Sequence, residues 1–147
     1  FVVEFDDHLP GTEIKDKKKI NENIAAVKSL LEKYSIGYIE SSHFGNSNYL
    51  WIEYDRKLSD KEIEQIIKLL APLNSEVDVN FASSKKRFPV LFSPHWKYGT
   101  RELPIHFFKG EKLSDEVISK IGLEKNPSIS EDKNNLSVLS ILLFSPL

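Results

Sequence analysis

Cysteine is absent from this 147-residue chain, and so is methionine. Without cysteine no disulfide, thiolate nucleophile, zinc knuckle or iron–sulfur cluster can form. No apolar run is long enough to span a bilayer, and no signal peptide is visible. The expectation is therefore a cytoplasmic protein with no membrane contact. Positive charge is not in excess either, since the net charge is −2. A protein that coats nucleic acid with its whole surface is disfavoured, so any anion site must be local. The chain lacks an initiator methionine and begins inside a strand-like run, which reads as a trimmed fragment.

What is present is an ordinary globular composition, 40% hydrophobic and 29% charged, with a length that suits one domain over 1–147. Residues 1–5 alternate as a strand does, with Glu4 and Asp6 on one face and Val3 and Phe5 on the other. Ile20, Ile24, Val27, Leu31 and Tyr34 recur at helical spacing, predicting a helix over 20–34 that ends near Ser35 and Gly37. Two strands, 36–42 and 48–54, flank a turn-forming stretch at 43–47. In the second, Tyr49, Trp51 and Glu53 share a face, opposite Leu50, Ile52 and Tyr54. Ser59 and Glu62 have the spacing of a capping box, and Pro72 stops the helix they open. Residues 76–81 alternate again.

The resulting order over 1–82 is strand, helix, strand, strand, helix, strand. That is the split βαβ, ferredoxin-like or RRM-like arrangement of an α+β protein, with both helices on one sheet face. Over 83–147 a basic loop leads to added strands at 88–92 and 103–108 and a short helix at 115–121. Ser114 caps that helix and Gly122 ends it. A polar loop and an apolar segment at 136–144 follow.

Three groups of residues carry chemistry. The 43–48 turn offers backbone N–H groups, amides and hydroxyls that can cradle phosphate, or it simply joins two strands. Lys85, Lys86, Arg87, His95 and Lys97, with Trp96 and Tyr98, suit a triphosphate or a nucleic-acid backbone, or form a solvated basic loop. Glu4, Asp6 and Asp78 would converge if their strands were neighbours, as in two-metal nucleotidyl transfer. Solvent-facing acids are the alternative.

The ordered set resembles the archaeo-eukaryotic primase family over roughly 1–105. Glu4-Phe5-Asp6 matches the family's acid-x-acid. Gly45-Asn46-Ser47-Asn48-Tyr49-Leu50-Trp51 matches its Ser-x-His before an aromatic strand. Asp78 matches the later lone acid. Arg87-Phe88-Pro89 and His95-Trp96-Lys97-Tyr98-Gly99 match its Arg-x-Pro and basic segments. The family histidine falls at Tyr49, and a phenol does not carry an imidazole's charge.

The resemblance thus implies a noncatalytic accessory subunit of an archaeal DNA primase. It would work in DNA replication beside catalytic and large subunits. Ser47, Asn48, Tyr49, Lys86, Arg87, His95 and Lys97 would hold the initiating ribonucleotide or a single-stranded DNA template. No catalytic residue and no obligatory cofactor is implied, only Mg2+ accompanying a bound nucleotide triphosphate. Two alternatives are an active primase-polymerase of a mobile element, with metals on Glu4, Asp6 and Asp78, and a ferredoxin-like interaction module.

Overall fold

The structure is a computed structural model that describes residues 1–5, 11–12, 14, 16–42, 48–72, 91–92 and 101–126. Its elements are β1 (Val2–Phe5), α1 (Lys17–Lys33), β2 (Tyr38–Ser42), β3 (Asn48–Trp51), α2 (Asp60–Leu70), β4 (Leu103–Phe108) and α3 (Asp115–Lys125).

Helix α1 starts three residues before its apolar stripe because Asp16 caps it. The Asp16 side chain accepts the Lys19 N–H at 3.1 Å, giving a partner to an amide that a helix start leaves open. The helix ends as the sequence predicts, but through Ser35 rather than a glycine. Ser35 has φ of 58°. Its N–H bonds Glu32 at 3.0 Å, and the Ile36 N–H bonds Leu31 at 2.9 Å. That pair is a Schellman motif.

In α2 the capping box is complete. The Glu62 N–H bonds Ser59 Oγ, and the Glu62 side chain accepts the Ser59 N–H. Ser114 caps α3 as expected. That helix does not stop at Gly122, however, but continues to Lys125. Ile118, Ile121 and Gly122 are buried together, so packing outweighs the roughly 1 kcal/mol that a mid-helix glycine costs. Lys125 then donates to the Leu69 and Ala71 carbonyls at the end of α2, and burial lowers its pKa.

The four strands form one antiparallel sheet in the order β1-β3-β2-β4. Strand β3 lies between β1 and β2, which therefore run parallel and are joined through α1. This is the split βαβ unit that the sequence predicts. The sheet also differs from expectation. Its fourth described strand is β4, on the outer side of β2, and the anticipated strand at 76–81 lies outside the described residues. Strands β2 and β3 are shorter than anticipated, because Ile36 and Tyr54 instead bridge to Glu111 and Leu113. Of the anticipated strand at 88–92, Leu91 and Phe92 lie in a turn. Residues 88–90 and 136–144 lie outside the described set.

One face of the sheet carries the core. Val3, Phe5, Tyr38, Leu50 and Ile52 pack with Ile20, Ile24, Val27 and Leu31 of α1, with Ile66, Ile67 and Leu70 of α2, and with Ile118 and Ile121 of α3. All three described helices thus share one side. Arg56 ties the starts of α2 and α3 together by bonding both Glu62 and Asp115, while Tyr54 donates to Asp115 at 2.5 Å. Burial would raise the Asp115 carboxyl, but the Arg56 and Tyr54 bonds outweigh it and hold its pKa below the usual range. Residues 109–113 close the end of the sheet. Gly37 and Gly110 meet there so closely that a Cβ on Gly110 would lie 2.5 Å from the Ser35 carbonyl oxygen.

Candidate functional site

Strand alternation decides which anticipated residues can meet. Glu4 stands opposite Tyr49 in the β1–β3 register, and Tyr49 stands opposite Ser41 in the β2–β3 register. The three form a row across the sheet on the face opposite the described helices. Tyr49 is 3% exposed and Glu4 5%. Tyr49 packs with Val2 and Trp51 in a small second cluster. The expected division of β1 and β3 into two faces therefore holds for Val3, Glu4, Phe5 and residues 49–52.

Asn48 is one residue away from Tyr49, and its side chain goes to the other face. Its amide donates to Glu40 Oε2 at 3.1 Å, while Lys28 of α1 donates to Glu40 Oε1 at 2.8 Å. Glu40 is a buried carboxylate with both oxygens satisfied, as burial of a charge demands. The Asn48 side chain thus ties the start of β3 to the buried Glu40, and Tyr49 faces the opposite side. Ser47, Lys86, Arg87, His95, Lys97, Asp6 and Asp78 all lie outside the described residues. The meeting of Glu4 with Asp6 and Asp78 falls there too.

The row has a further member that the sequence does not announce. Glu102, just before β4, is 0% exposed. The Ser41 hydroxyl donates to its Oε1 at 3.2 Å, and the Trp51 indole N–H donates to Ser41 Oγ at 2.7 Å. Among the described residues Glu102 Oε2 has no hydrogen-bond partner. Burial pushes this carboxyl up to about 7, against the modest downward pull of the Ser41 bond. The β2–β4 register shifts between Glu40 and Ser41, so the irregularity sits beside this chain of bonds. Bulges commonly re-aim side chains in this way.

Chemically, the row holds acids, a phenol, a hydroxyl and an indole, of which only the Trp51 indole is partly open to solvent. A carboxyl that titrates near neutrality can hold or release a proton at working pH. Among the described residues no three His, Asp or Glu side chains are grouped to hold a metal ion. Glu102 carries little sequence signal: it is an acid flush against an apolar strand, outside any alternating pattern. Ser41 is visible only as a position on the Tyr49 face once the strands are paired. No helix among the described residues is long and apolar enough to cross a membrane.

No family model matches the chain, and neither a curated protein nor a solved structure matches it.

Proposed function

We propose that this chain is a noncatalytic accessory subunit of an archaeal DNA primase, supporting primer synthesis by holding the initiating nucleotide or the template. The observation that carries the reading is the pairing of Glu4 with Tyr49 on the face opposite the described helices. It sets the first-strand acid beside the position where the resembled family has histidine. Tyr49 is buried, and a phenol lacks the imidazole that exchanges a proton near neutral pH. Such a site suits binding without transfer. The split βαβ order supports the same reading at the level of fold. In this proposal Ser47, Arg87, His95 and Lys97 hold the phosphates, and Mg2+ arrives with the nucleotide.

The test is the affinity of the chain for a ribonucleoside triphosphate with Mg2+. Arg87→Ala and Lys97→Ala are each expected to weaken binding about tenfold, the loss of one charge-assisted contact. Unchanged affinity in both variants would remove the site assignment.

A second reading, a ferredoxin-like interaction module, is favoured by one feature. Leu103, Ile105 and Phe107 of β4 are 47%, 58% and 64% exposed. Apolar exposure at alternate positions of the outer strand of the described sheet suits a partner surface.

A further inference from the structure

An open cavity of ≈ 400 Å³ lies at the end of the sheet remote from Ser42 and Asn48. Its floor is a row across three strands. Ile39 pairs with Trp51 on one side and with Phe107 on the other. The Trp51 ring is fixed by its indole bond to Ser41 at 2.7 Å, and Phe107 is 64% exposed. Two aromatic rings and one aliphatic side chain thus present a flat apolar surface from rigid strands.

The rim is charged and is also held in place. Residues 109–113 return along 35–37 through the Gly37–Glu111 and Glu111–Ser35 backbone bonds. The contact between Gly37 and Gly110 admits no side chain, which fixes where Lys109 and Lys112 emerge beside the floor. Among the described residues Lys109 has no ion-pair partner. Lys112 lies 3.4 Å from Glu53, and both are exposed, so that pair is weak and easily exchanged.

We propose that this cavity binds a nucleobase together with its phosphate. A flat ring stacks on the Trp51–Phe107 row, as bases do on aromatic platforms. The phosphate sits at Lys109 and Lys112. The Glu53 carboxylate accepts from an exocyclic amino group or a ribose hydroxyl, which separates a nucleotide from a plain aromatic acid. The volume is at the small end of ligand cavities, which suits one nucleotide. The same chemistry is offered by a free nucleotide and by a residue of a single strand. Among the described residues, neither Asn48 nor Tyr49 lines this cavity, and the inference goes beyond the proposed function and does not depend on it.

The experiment is an amide and indole NMR titration of the full chain with adenosine monophosphate, with inorganic phosphate and with an octamer of deoxyadenosine. Either nucleotide probe is expected to shift the Trp51 indole and the 107–110 amides saturably. Phosphate alone should shift them far less. Phe107→Ala and Lys109→Glu, both at exposed positions, should each weaken this response about tenfold, whereas Arg87→Ala leaves it intact. Tighter binding of the octamer identifies a single strand as the source, and tighter binding of the monophosphate identifies a free nucleotide. The proposal is overturned by an equal response to phosphate alone, by no saturable shift at Trp51 and 107–110, or by variants that bind like the parent chain. Loss of nucleotide binding only in Arg87→Ala would support the proposed function and remove this second site.

Discussion

A carboxyl buried with one oxygen unbonded among the described residues keeps its proton more tightly than one in water, and Glu102 is such a group. Its folded pKa near 7 lies above the roughly 4.3 of an exposed glutamic acid. The folded chain therefore holds a proton that the unfolded chain has already released. This contribution to stability is complete below the unfolded value and is lost as pH rises through 7. Asp115 and Glu62 act in the opposite sense, because their folded pKa values are lowered, but they do so at the acid end. Urea denaturation of the parent chain and of Glu102→Gln between about pH 5 and about pH 8 should thus show the Glu102 contribution, about 2–3 kcal/mol, being lost towards the higher pH. Glu102→Gln keeps the acceptor for Ser41 and should flatten that slope. Ser35 gives a second residue-scale expectation. A non-glycine residue at φ of 58° is strained by about 1 kcal/mol. Ser35→Gly should accordingly raise the midpoint of thermal unfolding, with a gain of about 0.5–1 kcal/mol. Neither feature is legible in the sequence. Burial of Glu102 depends on which strands pair, and Ser35 stands two positions before a glycine that looks like the natural helix stop.

At the scale of elements, that glycine has another task. Gly37 does not end α1; it lets residues 109–113 approach the sheet. A Cβ there would lie 2.8 Å from the Gly110 backbone nitrogen, a distance that forces backbone movement. Gly110→Ala should lower the denaturation midpoint by the equivalent of about 2 kcal/mol or more, as overpacking does. Ser59→Ala should cost about 1 kcal/mol through loss of the complete capping box. The two changes also mark what sequence reading reaches. Ser59 and Glu62 are three residues apart, and their bond is local, so spacing reveals it. Gly37 and Gly110 meet only through the fold. The same division explains the helix ends. Ser114 caps α3 locally and is read correctly. Its far end passes Gly122 because packing with Ile118 and Ile121 decides it.

For the whole molecule, alternation in β1 and β3 was enough to place Val3, Phe5, Leu50 and Ile52 towards the helices and Glu4 and Tyr49 away from them. The pairing order that sets Glu4 beside Tyr49, and Tyr49 beside Ser41, comes from tertiary structure, as does the addition of β4 beside β2. The central proposal is that the Tyr49 face supports nucleotide holding without nucleotide transfer. The most direct measurement is calorimetric titration of the chain with a ribonucleoside triphosphate and Mg2+, with primer synthesis on single-stranded DNA assayed on the same preparation. Saturable binding with no primer formed is the expected result. Metal-dependent primer synthesis that Asp78→Ala abolishes would contradict it and place the chain among the active primase-polymerases.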